Sequence, residues 1–248
     1  MKGLADKLLG VDSMKRFIVE KDFWEVFPHA EIGIILLKGI DNTKEDEDRY
    51  LELLKRAEKD SLKHLPDDNF SSNQVIKVWR EAFQKFKTKK GARSSIEALL
   101  KRVHSGKGIG GINPLVDLYN SVSLRYALPC GGEDMDRFAG DIKLTKAVGD
   151  EDFITLGSEK SETPFEGEIV YKDEAGAICR CWNWRESVRT MLTEETTNAF
   201  ICIESVDPSR AEDLKAALND LADLAKENLG GEYEIHIVDK DNNTIDIQ

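Results

Sequence analysis

Two short segments concentrate the side chains that could do chemistry. The first is Pro129-Cys130-Gly131-Gly132-Glu133-Asp134, a glycine turn followed at once by adjacent carboxylates. Gly131 and Gly132 would let a ligand approach backbone amides closely, which is how an oxyanion hole is commonly built. Glu133 and Asp134 could orient a water or hold an amino group, which makes them the candidate catalytic pair. The second segment is Cys179–Ser187, CRCWNWRES. Read as one strand over Ala177–Arg185, it puts Arg180, Trp182 and Trp184 on one side and Cys179, Cys181, Asn183 and Arg185 on the other. A buried asparagine or arginine left without partners costs ~1–3 kcal/mol or more. Asn183 and Arg185 are therefore the candidate ligand-binding residues of this segment, and the tryptophans read as core. Together the two segments look like two walls of one pocket.

A third wall is expected from the helix over Pro114–Ala127. Leu115, Leu118, Tyr119, Val122 and Tyr126 form its buried stripe, and Val116, Asn120 and Ser123 run beside it at helical spacing. Asn120 and Ser123 are thus candidate pocket-lining groups. Asn113 is the expected N-cap and Pro114 the first helical residue. Before them, Gly106–Gly111 satisfies the spacing of a dinucleotide-binding fingerprint, but the strand that fingerprint requires is replaced by a helix. What survives is a glycine-rich approach to a helix start that could offer amides to an anion.

Charge points toward a polyanion. The chain as a whole carries −12, yet Lys77–Lys107 holds ten basic residues against Glu81 and Glu97. Such segregation is the footprint of a face that meets phosphates on an acidic body. The candidate phosphate contacts are Lys85, Lys87, Lys89, Lys90, Arg93, Lys101, Arg102 and Lys107. Cys130, Cys179, Cys181 and Cys202 are too few and scattered for a disulfide framework, and fit a reduced, cytoplasmic setting. They also lack C-x-x-C spacing, so no metal and no cofactor is expected. The four dispersed histidines offer no Ser-His-Asp or Cys-His arrangement. Residues 1–15 lack a signal-peptide core and no apolar run could span a bilayer, so no membrane association is expected; nor is an obligatory protein partner evident.

These groups need a scaffold. Arg16–Glu20 and Glu31–Lys38 read as strands, with an aromatic cluster of Phe23, Trp24 and Phe27 between them. Helices are expected over Thr43–Leu65, Ser72–Phe86 and Ser94–His104. Past residue 140 the pattern turns to short strands: Ile142–Val148, Phe153–Leu156, Glu168–Tyr171, Ala177–Trp184 and Asn198–Ser205, with a turn at Asp173–Gly176. A helix over Pro208–Asn228 and a terminal hairpin, Tyr233–Val238 with Thr244–Ile247, complete the chain. The order is α+β, read as one domain over 1–248, with a core at 112–208, a basic helical region at 72–107 and a C-terminal helix and hairpin at 208–248.

Asn113–Phe138, NPLVDLYNSVSLRYALPCGGEDMDRF, resembles the helix and loop of the editing domain in the phenylalanyl-tRNA synthetase beta subunit. Asp173–Gly176, Thr193–Asn198 and Asp207-Pro208 match later landmarks of that domain, so the similarity covers roughly Ile112–Pro208. The resemblance implies an editing-domain-like α+β fold, with mixed sheets of short strands packed with helices, in a free-standing relative of that tRNA-binding domain. It also implies a role in hydrolysing the ester of wrongly charged tRNA, with Asn120 at the family's helix asparagine that faces the pocket and Asp134 at its loop aspartate. Two departures stand out. Gly131 occupies the place of the family's loop histidine. Trp184-Arg185-Glu186-Ser187 replaces a Gly-Gly-Glu-Glu-like loop, with no glutamate clearly in the family's place.

The function expected is a stand-alone tRNA-interacting protein that hydrolyses misacylated aminoacyl-tRNA in trans without a metal. Glu133 or Asp134 would orient the water, and Arg185 would bind phosphate or carbonyl. The alternatives are a non-catalytic RNA- or tRNA-binding module that kept the fold, and a pocket for a free amino acid.

Overall fold

A computed structural model describes residues 14–43 and 46–247. Residues 1–13, 44–45 and 248, which include most of the segment read as lacking a signal-peptide core and part of the expected helix over Thr43–Leu65, lie outside them. The described residues form two sheets. The four-stranded sheet has the order β3 (Cys130–Asp134), β8 (Asn198–Ser205), β2 (Glu31–Lys38) and β9 (Glu232–Val238), all antiparallel. The six-stranded sheet runs β10 (Thr244–Asp246), β1 (Arg16–Val19), β4 (Ile142–Lys146), β5 (Ile169–Asp173), β6 (Gly176–Arg180) and β7 (Arg185–Glu186).

The central strands explain the layering. In β2 and β8, Ile35, Leu37, Ala199, Ile201 and Ile203 belong to one core, shared with Leu214, Leu218 and Leu221 of helix α6 (Ala211–Leu229). The alternate residues Ile32, Ile34, Leu36, Phe200 and Cys202 belong to the other, shared with Phe17, Tyr171 and Ile178 of the six-stranded sheet. Period-two alternation thus serves two apolar faces at once, which is why EIGIILLK has almost no polar interruption. Gly33 is the exception on the helix side: a Cβ there would come within 2.6 Å of Leu218.

Around the sheets pack α1 (Lys21–Val26), α2 (Glu47–Ser61), α3 (Gln74–Phe83), α4 (Ser95–His104) and α5 (Pro114–Tyr126). The caps follow sequence logic. Ser94 accepts the Glu97 N–H and Asn113 accepts the Val116 N–H, with Pro114 at the first turn of α5. Phe23, Trp24 and Phe27 are buried, as expected of core aromatics.

Four expectations need correction. Pro129–Asp134 is not a solvated turn: Cys130–Asp134 pair with β8 as a buried edge strand. The strand expected over Ala177–Trp184 ends at Arg180, because Cys181 and Trp182 take positive φ values of 45° and 64° and turn the chain. Phe153–Leu156 forms no strand, and its last residue, Leu156, enters a turn. The terminal hairpin does not form, since β9 pairs with β2 in one sheet and β10 with β1 in the other. Among the described residues no helix is long and apolar enough to cross a membrane.

Candidate functional site

The break after Arg180 shapes the site. Because the chain turns at Cys181 and Trp182, the indole of Trp182 drops into the core against Phe23, Phe27 and Trp79. Asn183, Trp184, Arg185 and Glu186 then stand beside β3. The resulting cavity, of about 300 Å³, lies between α4, α5, β3, β7 and β8. That size suits a small ligand or one residue of a larger one. Its walls include Tyr119, Tyr171, Trp182, Trp184 and Phe200, with Asn120, Asn183, Arg102 and Arg185 among the polar groups.

Three carboxylates line it from three strands: Glu133 of β3, Glu186 of β7 and Glu204 of β8. Glu204 is fully buried and accepts hydrogen bonds from Tyr171 Oη at 2.5 Å and Asn183 Nδ2 at 2.6 Å. Burial lifts its pKa to about 7, against the opposing pull of those two donors. Glu186 is half-buried, and desolvation likewise raises it to about 7, with the Gly132 N–H acting the other way. The amide expected to serve an oxyanion is thus directed at a side-chain carboxylate. Glu133 is pushed well above the carboxylate range, first by burial and then by the charge of Glu186. Its Oε2 is buried without a hydrogen-bond partner, as are Ser95 Oγ and Trp182 Nε1 on the same lining. Burial also raises the thiols of Cys130, Cys179 and Cys202, which keeps them protonated and unreactive.

Of the site residues expected from sequence, the cavity gathers Asn120, Gly131, Gly132, Glu133, Asn183 and Arg185. Two fall elsewhere. Asp134 points to the opposite side of β3 from Glu133, accepting from Thr196 Oγ1 at 2.9 Å and lying 3.5 Å from the Arg137 guanidinium. Ser123 Oγ donates to the Leu128 carbonyl at 2.6 Å and closes the end of α5. The glycine-rich approach is also occupied internally: Ile109 N donates to Glu58 and Ile112 N to Asp117. No free anion is needed to satisfy those two amides.

The basic segment divides similarly. Lys89 pairs with Glu162, and Lys85, Lys87 and Lys101 lie over the rings of Phe27, Phe165 and Phe70. Lys90, Arg93 and Lys107 are exposed. Arg102 is exposed, donates to the Gly108 carbonyl at 2.9 Å, and also lines the cavity. It is the one member of the expected phosphate set on that lining. Arg185 stacks over Trp184, 5.0 Å from the ring centre.

Two site carboxylates escaped the sequence reading. Glu204 shares the alternation of Phe200 and Cys202 on an otherwise apolar strand, which marks an inward-facing charge. Glu186 sits in the segment where no glutamate clearly replaced the family's. Only the turn at Cys181-Trp182 brings it to the cavity. A second cavity of about 310 Å³, lined by Ile112, Val116, Thr155, Leu156 and Met191, shares Tyr119, Arg185 and Glu186 with the first.

Part of the chain is similar in sequence to known proteins. The chain is 37% identical over 89 residues to the phenylalanine–tRNA ligase beta subunit of Mycoplasma genitalium, covering 36% of this chain and 11% of that one. It is 32% identical over 96 residues to the corresponding subunit of Mycoplasmoides gallisepticum, covering 39% and 12%. The matched part thus spans about a tenth of those relatives. The crystal structure of an N-terminal fragment of the phenylalanyl-tRNA synthetase beta subunit from Pyrococcus horikoshii superposes with a TM-score of 0.45 at 15% identity, over 88% of this chain and 49% of the fragment. The B3/4 domain, which is found in the phenylalanyl-tRNA synthetase beta subunit, matches residues 78–228. That span takes in α4, α5 and every segment from Ser95 to Glu204 that lines the cavity, and it makes the chain a member of the B3/4 domain family.

Proposed function

We propose that the chain hydrolyses the ester of aminoacyl-tRNA, with the aminoacyl group in the cavity and the tRNA acceptor end against α4. One observation carries this reading: α4 belongs to the basic segment and also walls the cavity, so Arg102 and the carboxylates of Glu133 and Glu186 line one space. Phosphates approaching along that helix would deliver their 3′ end to the cavity. The kinship with phenylalanine–tRNA ligase beta subunits supports tRNA as the polyanion.

In this reading Glu186, with a pKa of about 7, takes a proton from water as the oxygen attacks the ester carbonyl carbon. The bond from that carbon to the ribose oxygen breaks, the proton passes to that departing oxygen to make the ribose hydroxyl, and the free amino acid leaves. Arg185 stabilises the developing oxyanion, Asn120 and Asn183 fix the aminoacyl group, and Gly131 leaves room for it beside Glu186. A Cβ at Gly131 would sit 3.4 Å from Glu186 Oε1.

A panel of aminoacyl-tRNAs charged with different amino acids tests the proposal. We expect at least one ester to be cleaved well above the buffer rate, with the rate rising as pH passes through about 7 and Glu186 ionises. Glu186→Gln should lose that rate by ~10²–10⁴-fold while still binding tRNA. Salt-sensitive tRNA binding with no cleavage of any ester would leave only a binding module.

A further inference from the structure

We propose that the cavity selects ligands with a cationic side chain, a lysyl-like ammonium or an arginyl-like guanidinium, held by Glu133 at the β3 wall. The proposal rests on the reading of the cavity as an aminoacyl site and names the class of amino acid it takes.

The argument begins with charge. Glu133, Glu186 and Glu204 line a space of about 300 Å³, and among the described residues no lysine, arginine or histidine forms an ion pair with any of them. The two arginines on the lining are exposed and otherwise engaged, Arg102 with the Gly108 carbonyl and Arg185 over Trp184. The three carboxylates differ in what they still lack. Glu204 is satisfied by Tyr171 and Asn183, and Glu186 faces the Gly132 amide. Glu133 is 7% exposed, yet its Oε2 makes no hydrogen bond within ordinary length, and Thr190 is the hydroxyl set against its carboxyl. Leaving a buried carboxyl oxygen unpaired is costly, and a cation donating to it would recover that cost.

The surroundings suit an alkylammonium more than a neutral polar group. Tyr119, Phe200 and Trp182 on the lining offer apolar surface to a methylene stem. Adding such a cation would also draw the proton off Glu133. Around that carboxyl, burial, Glu186 and Asp173 favour the protonated form while the Thr190 hydroxyl and Arg189 oppose it, and the incoming charge would add to the opposing side. Binding should therefore release protons to the buffer wherever Glu133 still holds its proton.

The experiment compares L-lysinamide and L-argininamide with L-norleucinamide and L-tyrosinamide on the full chain by isothermal titration calorimetry. These amides carry the α-ammonium without a cleavable tRNA ester. We expect the pair with cationic side chains to bind about tenfold or more tighter than the pair with uncharged side chains, since one charged hydrogen bond is worth ~1.5–3 kcal/mol. Repetition in buffers of different ionisation enthalpy should show proton release for the cationic pair only. Glu133→Gln should bring the preference below about threefold while norleucinamide affinity stays put. Equal or tighter binding of the amides with uncharged side chains by the unaltered protein would overturn the proposal, as would no binding of any amide. A panel in which only neutral aminoacyl-tRNAs are cleaved would leave the hydrolase reading standing and sink this one. Selective lysinamide binding with no ester cleaved would do the reverse.

Discussion

Glu204 shows what a single buried side chain costs and how its cost can be read. Its carboxyl lies between Tyr171 on one sheet and Asn183 after the turn, with 1% of its surface exposed. The native state holds its proton up to about pH 7, whereas the unfolded chain gives it up near the ordinary value of 4.5. Native protein therefore binds more protons than unfolded between those limits, and stability falls as pH rises through them. The full penalty is on the order of 3 kcal/mol once pH exceeds about 7. Glu204→Gln removes the charge but keeps one acceptor. It should melt near the wild-type temperature at pH 5 and above it at pH 8. A difference in melting temperature that does not change between those pH values would contradict this account. Residue types were legible from sequence where they stood beside glycine or tryptophan, as Glu133 and Asn183 do. They were not legible where function depends on which face a strand turns inward, and so Asp134, adjacent to Glu133, was grouped with it although the pleat separates them.

At the scale of elements, the decisive event is the end of β6. The alternating pattern of Ala177–Arg185 is a strand signal, and nothing in local propensity announces two consecutive non-glycine residues at positive φ. Tertiary burial overrides it: Trp182 is completely buried and meets the rings of Phe23, Phe27 and Trp79 at centroid distances of 4.7–5.1 Å. That packing holds the turn that carries Asn183, Arg185 and Glu186 to the cavity. Trp182→Ala should cost ~3–5 kcal/mol, measured by urea unfolding. In whatever fraction stays folded, it should also weaken aminoacyl-ligand binding more than tRNA binding. Equal loss of both would mean that the turn does not depend on the indole. Helices, by contrast, were legible nearly to their ends. Their signals, the Ser94 and Asn113 caps and the Leu stripe of α6, are local in sequence.

For the whole molecule, charge segregation is real in sequence but partly spent in the fold. Of the ten basic residues in Lys77–Lys107, Lys77, Arg80 and Lys89 form ion pairs with Glu81, Glu97 and Glu162. The seven others are Lys85, Lys87, Lys90, Arg93, Lys101, Arg102 and Lys107. If all met phosphates, the logarithm of tRNA affinity would fall against the logarithm of salt with a slope no steeper than about −6. A filter-binding titration measures it, and a slope steeper than this would place additional contacts outside the segment. Reversing Lys90 should weaken binding more than reversing Lys89, whose charge Glu162 already holds. The sheet topology was the least legible feature, because β9 and β10 are separated by a short connection that reads as a hairpin. Only the edges offered by β2 and β1 send them to different sheets. That parting gives the last strand a protective task. β10 covers the side of β1 that would otherwise present an unpaired row of amides and carbonyls. A chain cut after Val238 should keep β9 in place yet self-associate through bare β1. Light scattering should then grow with concentration where the full chain stays monodisperse.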